Sequence, residues 1–195
     1  MPSETISATS ADYRMLVHAS SLLVPVLAET ISKGTVVAAL AGVTAVYIVS
    51  ESVRIKGGKI PLITSFTLRM SHQREDTQFI AEPAYLAVGI MLALTVFPKG
   101  IAYASICIVA VGDPVAAYVG RIGRVHIGKK TLEGFVAGLI GSLLVASYFI
   151  APPVGAVGAT IAMLLELSGI FEDNLTMPLG AGVAMILASK ILQTF

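Results

Sequence analysis

Apolar residues in this chain come in long runs, broken by short clusters of glycine, proline and charge. Seven runs can be drawn, at about 15–32, 35–53, 84–97, 101–118, 134–150, 154–170 and 177–193. The clearest, Thr35 to Val53, is long enough as a helix to cross a hydrocarbon core of about 30 Å. The third is short for a span, so it either extends into the preceding polar stretch or tilts little. Lys33-Gly34, Pro98-Lys99-Gly100 and Pro152-Pro153 read as tight turns between neighbouring runs. The connections at 54–83 and 119–133 are longer. The first contains Pro61 to Leu68, apolar but too short to span, which suits a re-entrant or interfacial segment. The pattern predicts an all-α, polytopic membrane helix bundle of about seven transmembrane helices. It forms a single domain over 1–195, with 1–13 as an exposed N-terminal tail.

Composition strengthens that reading. Hydrophobic residues make up 55% of the chain and charged residues only 13%, where a soluble domain carries about a quarter charged. No tryptophan is present, so an aromatic belt must use tyrosine and phenylalanine. The single cysteine, Cys107, excludes an intrachain disulfide or a cysteine metal cage, and its apolar neighbours make it a packing residue. Met1 to Asp12 is polar and carries Glu4 and Asp12 where a cleavable signal would be basic.

Charge then sets orientation. With a cytoplasmic N-terminus, one side of the membrane holds Arg14, Arg54, Lys56, Lys59, Arg69, Arg74, Arg121, Arg124, Lys129 and Lys130. The other holds Lys33, Lys99 and Lys190. Ten cations against three is a strong positive-inside asymmetry and supports an odd number of spans. The same topology gathers ionisable residues at the inner ends of the runs: Arg14 and His18, Glu51 and Arg54, Asp113, Glu133, Glu166, Asp173 and Asn174. Charge near lipid is expensive, so such residues face protein or an aqueous cavity. Any one of them could be an interfacial anchor, but as a set they imply one polar site at the cytoplasmic boundary. Glu51 and Arg54 have the spacing of an ion pair, and Arg14 and His18 share a helical face. Glu29 falls at the opposite end. His72 and His126 have no partner spacing, and Glu75, Asp76 and Glu82 read as a solvated loop.

The stretch from Val111 to Gly134 carries the candidate chemistry. Asp113 is a carboxylate inside an apolar run, and the following Pro114 frees a helix carbonyl. Asp113, Ala117, Gly120 and Arg124 fall on one helical face. Next comes a glycine-rich basic loop with Arg121, Arg124, Lys129 and Lys130. Glycines let backbone N–H groups approach phosphate oxygens, and the cations neutralise them. Thr131 suits an N-cap, and Gly134 and Gly138 a close-packing face. An acid for a hard cation beside a loop for phosphates is what a magnesium nucleotide needs. Turn glycines in a positive-inside loop would look the same by spacing alone. Neither a P-loop nor a Rossmann glycine pattern is present.

Gly112-Asp113, Ala116-Ala117, Gly120, Gly123 and Lys129-Lys130-Thr131-Leu132-Glu133-Gly134 together resemble the signature of the membrane CTP-dependent lipid kinases: dolichol kinase, phytol kinase and CTP-dependent diacylglycerol kinase. Arg14 to His18 resembles the family's early basic element, which often has Arg-Lys where this chain has Arg14-Met15. Glu51 to Arg54 resembles its Glu-x-x-Arg. Glu166 with Asp173-Asn174 and Pro178 resembles its late acidic element. The Lys-Lys-Thr-x-Glu-Gly part is shared with phosphatidate cytidylyltransferases, whereas the late element favours the kinases. The resemblance implies phosphoryl transfer from CTP, with Mg²⁺, to the hydroxyl of a membrane lipid alcohol. A polyprenol or dolichol-type isoprenoid is preferred and diacylglycerol comes second, with no nucleic-acid partner. It implies catalytic roles for Asp113, Lys130 and Glu133, with Asp113 as metal ligand or base. Nucleotide contacts fall to Gly112, Gly120, Arg121, Gly123, Lys129, Lys130, Thr131, Arg54 and Asn174. Metal ligation falls to Asp113, Asp173 and Glu166, and lipid contact or positioning to Arg14, His18 and Glu51. The alternatives are a cytidylyltransferase making a CDP-lipid and, behind it, a transporter. Against the transporter, the chain has no evident internal repeat.

Overall fold

The computed structural model describes residues 13–70, 78–169 and 172–192. The tail at 1–12, together with His72, Glu75 and Asp76, lies outside the described residues.

Each apolar run folds as helix. The first is split into α1 (residues 13–20) and α2 (Leu23–Thr30). Pro25 has no N–H for the Ser21 carbonyl, and the chain passes through a turn at 21–22, where the Leu22 N–H bonds Ala19 and the Val24 N–H bonds Ser21. α3 (Lys33–Ile55) starts at Ser32, whose hydroxyl accepts the Thr35 N–H at 3.0 Å. α4 (Pro61–Met70) is the short segment foreseen between the second and third runs. α5 (Glu82–Val96) opens with a proline in its first turn, and α6 (Lys99–Gly120) carries Pro114 inside it. α7 (Leu132–Ala146) is capped by Thr131, whose hydroxyl accepts the Gly134 N–H at 3.2 Å. α8 (Pro152–Ser168) ends on Gly169, at φ 56°, the left-handed position a glycine C-cap supplies. α9 (Asp173–Leu192) closes the described chain.

Two local features differ from the sequence expectation. The basic loop contains an antiparallel pair of short strands, β1 (His126–Ile127) and β2 (Lys130–Thr131), in the register His126 to Thr131. Gly128, at φ 62°, takes the first turn position, where a tight hairpin requires φ above zero. α6 also stops at Gly120, so Arg124 does not continue the face of Asp113 and Ala117. Its N–H bonds the Glu133 carboxylate at 2.8 Å instead.

α3, α6 and α9 are long and apolar enough to cross a membrane, while α5, α7 and α8 are shorter apolar helices. At 1.5 Å per residue the three long helices reach about 30–35 Å. The exterior is apolar as well. Val136, Ile140 and Leu144 form an exposed stripe along α7, and Val183, Leu187 and Ile191 form one along α9. A helix packed against water shows a polar stripe there; these faces suit lipid.

α6 is the buried centre, packed against α5, α7, α8 and α9. Small residues allow this. A Cβ on Gly138 would lie 2.8 Å from the Gly112 carbonyl and 2.9 Å from Ala116 Cβ, so α6 and α7 meet backbone to backbone. Alternating helix directions put the C-terminal ends of α3, α6 and α8 beside the N-terminal ends of α5, α7 and α9. At the opposite end Glu29 ties α2 to α6, accepting from Lys99 Nζ and from the Tyr103 hydroxyl, each at 2.7 Å.

Candidate functional site

The acids and cations of four elements converge at the end of the bundle that carries the hairpin. Lys130, in β2, donates to Glu166 near the end of α8 and lies 3.5 Å from Asp173 at the start of α9. Glu166 is only 3% exposed. Burial by itself would lower the Lys130 pKa, but its hydrogen bond to Glu166, and the charges of Glu166, Asp173 and Asp113, raise it above the usual lysine value. The ammonium is therefore held as a cation among three carboxylates.

Asp113 comes from α6, one residue before the proline. Its Oδ2 lies 3.5 Å from Nδ1 of His18 on α1, and His18 is 4% exposed. That separation is longer than a hydrogen bond. The His18 Nδ1 has no hydrogen-bond partner among the described residues, and neither does the buried Oδ1 of Asp173. Buried polar atoms without partners are rare and call for an explanation.

Beside this cluster an open cavity of about 650 Å³ lies between α6, the hairpin, α7 and α8. Gly120, Arg121, Lys129, Lys130, Thr131 and Glu166 line it, with His126 and Phe135. The part of it that excludes open solvent, about 280 Å³, lies at the lower edge of the small-molecule range. Lys129 is exposed at the hairpin turn and has no ion-pair partner among the described residues. Arg121 leans on the Tyr118 ring and reaches Met15 Sδ at 3.6 Å. A second, narrower gap of about 190 Å³ is lined by Arg14, Val17, His18, Glu82, Pro83, Leu86 and Asn174. There Arg14 lies 3.4 Å from Glu82, and Asn174 Nδ2 donates to the Glu82 carbonyl at 3.3 Å.

Some residues singled out from sequence are placed differently. Glu51 and Arg54 do form an ion pair, but a closed one: Arg54 Nε donates to Glu51 Oε2 at 2.8 Å and Nη2 to Oε1 at 2.6 Å. Arg54 also donates to the Gln78 carbonyl, and Glu51 accepts the Ile80 N–H at 2.8 Å. Both side chains are buried and pin the segment entering α5, apart from the Lys130 cluster. Glu133 accepts the N–H groups of Arg124 and Val125, so it braces the loop. Gly112, Gly120 and Gly123 are packing positions: added Cβ atoms would meet Ser142 Oγ at 2.3 Å and Thr131 Oγ1 at 3.1 and 2.6 Å respectively. Glu82 and Phe135, which sequence reasoning passed over, line the two openings. Glu82 was obscured by its polar neighbours, and Phe135 by the apolar run it belongs to.

Among the described residues, no three histidine, cysteine or acidic side chains converge as a metal cage. The expected trio of Asp113, Asp173 and Glu166 is separated by the Lys130 ammonium, which occupies Glu166. Asp113 and Asp173 are oxygen donors of the kind a magnesium ion takes, since it needs only one or two carboxylates and completes its shell with phosphate and water. The unpartnered Asp173 oxygen is an acceptor of the kind such an ion uses.

No known protein family's sequence profile matches the chain. It is 25% identical over 180 residues to Uncharacterized protein RP860 of Rickettsia prowazekii (strain Madrid E), spanning 85% of this chain and 88% of that protein. No solved structure matches.

Proposed function

We propose that this chain is an integral membrane lipid kinase that crosses the bilayer seven times, with its polar site on the cytoplasmic side. It transfers the terminal phosphoryl group of CTP to the hydroxyl of a lipid alcohol. The observation that carries the reading is the convergence of Asp113, Lys130, Glu166 and Asp173, from separate elements, beside a cation-lined cavity that Lys130 and Glu166 themselves line. Phosphoryl transfer requires positioning and charge neutralisation more than covalent chemistry, and this set provides both. The choice of CTP and of an isoprenoid alcohol rests on the motif resemblance.

In this scheme Lys129, Lys130 and Arg121 bind the triphosphate, and Glu166 holds Lys130 charged and aimed. Asp113 and Asp173 would hold magnesium, which when bound neutralises phosphate oxygens. The alcohol oxygen attacks the γ-phosphorus, the bond to the bridging oxygen breaks, and CDP leaves. The hydroxyl proton passes to the Asp113–His18 pair. Glu133 keeps the hairpin in place through the backbone of Arg124 and Val125.

Purified protein supplied with γ-labelled CTP and a panel of lipid alcohols tests this. Label should enter the lipid, and Asp113→Asn should abolish the transfer. Incorporation of the CMP moiety into a lipid phosphate, with pyrophosphate released, would replace the kinase by a cytidylyltransferase.

A further inference from the structure

A long apolar groove of about 1040 Å³ opens on the side of the bundle between α1–α2, α3 and α5. Its rim includes Leu23, Leu27 and Val43, all exposed, and its floor includes the buried Val24, Leu86 and Ile90. Three of its four polar side chains are engaged by backbone carbonyls. The Ser20 hydroxyl bonds the Val17 carbonyl, Thr44 bonds Leu40, and Tyr47 bonds Ile80 at 2.7 Å. The wall is therefore hydrocarbon for most of its length.

At its inner end the groove adjoins the narrow gap that contains His18: Val17, Pro83 and Leu86 line both. Behind that gap the buried Nδ1 of His18 stands 3.5 Å from the Asp113 carboxylate, too far to bond it. With the ring proton on Nδ1, a hydroxyl between them satisfies both: it donates to the carboxylate while its oxygen accepts from the Nδ1–H.

We infer that this groove holds the hydrocarbon tail of a single-chain lipid alcohol, whose terminal hydroxyl lies between His18 and Asp113. The inference rests on the lipid-kinase reading for the fate of that hydroxyl, but not for its binding. A single chain is chosen because the gap leaves room for only about 10 Å³, the size of one small polar group, and is flanked by Arg14 and Glu82. A terminal alcohol passes its head through such a gap, whereas a glycerol diester must bring two ester groups with it. The tail enters sideways from the bilayer, so the substrate does not leave the membrane to react.

The experiment uses the full chain in lipid nanodiscs and a C20 prenyl alcohol bearing a photoreactive diazirine on its tail. Mapped adducts should fall on α1–α2, α3 and α5, and an excess of unlabelled prenyl alcohol should remove them. Ala87→Trp fills the groove, and Val43→Trp lies across its exposed rim, where a larger side chain has room. Each should cut the adduct yield at least tenfold, while Leu144→Trp on the outer face of α7 should not. In turnover assays the groove variants should raise the KM for the prenyl alcohol about tenfold and leave the KM for CTP unchanged. Adducts in the groove without phosphoryl transfer to any alcohol would keep the groove and end the kinase reading. Adducts spread evenly over the lipid-facing helices, or insensitive to both groove variants, would overturn the inference. So would stronger competition by diacylglycerol than by the prenyl alcohol.

Discussion

Lys130 is the residue whose surroundings say most about its work. It is bonded to a carboxylate that is almost wholly buried, with Asp173 near by. Removing one partner of a buried ion pair leaves the other charge uncompensated, at a cost of about 3–5 kcal/mol in a fully buried case. Lys130 is a third exposed, so Lys130→Met should cost less, on the order of 2 kcal/mol, read as a fall in the thermal midpoint in detergent. Lys130→Met combined with Glu166→Gln should recover much of that stability and none of the phosphoryl transfer. A double variant that regained activity would make Lys130 a structural counter-ion only. The pH behaviour follows from the direction of the shift. A folded-state pKa above the unfolded one gives stability that is complete below the unfolded value, about 10.4, and is lost only as pH rises through the folded value. Between about pH 6 and about pH 9 this group should therefore contribute no slope to stability, whether measured by heat or by denaturant.

At the scale of elements, helix contacts set where the site residues stand. Pro178 leaves the Asn174 carbonyl of α9 without its intrahelical N–H partner, and that carbonyl packs against Gly89 of α5. A Cβ on Gly89 would lie 2.7 Å from the carbonyl and 2.9 Å from the Pro178 ring, neither of which is a flexible side-chain end. Gly89→Ala should cost about 1–3 kcal/mol and displace the first turn of α9, which carries Asp173 and Asn174. Its signature would be reduced phosphoryl transfer at a temperature where the protein is still folded. Gly42 on α3 has nothing within 4 Å of the same atom. Gly42→Ala should be neutral or stabilise by up to about 1 kcal/mol, because it only gains helix propensity. Equal losses in the two variants would mean that propensity, not the α5–α9 contact, governs both.

For the whole molecule, the apolar exterior and the ten-to-three distribution of cations make a statement about orientation. Cys107 is buried, so a Cys107→Ala background lets single cysteines report position. Lys59→Cys, beyond the end of α3, should react with a membrane-impermeant maleimide only when the cytoplasmic side is accessible. Ala151→Cys, between α7 and α8 at the other end of the bundle, should react in intact cells. Labelling of both from the same side would contradict the proposed seven-span arrangement and its cytoplasmic hairpin.

The apolar runs, their breaks and the one-sided collection of charge were legible in the linear sequence. Each reflects local composition: apolar length, glycine and proline as breakers, and the energetic preference of cations for one face of a membrane. The Thr131 cap and the Gly134–Gly138 packing face were legible for the same reason, since spacing within a helix fixes what shares a face. The Glu51–Arg54 pair was legible from its spacing on one helix, but its burial against the backbone of Gln78 and Ile80 was not. Nor were the longer-range pairings: only the packed chain joins Lys130 to Glu166 and Asp173 and turns Glu133 onto the loop backbone. Those partners lie on different elements or face each other across the hairpin, and proximity between them depends on how the elements meet. The lateral groove has the same origin: it is a space bounded by three walls, and no single segment contains the information for its shape.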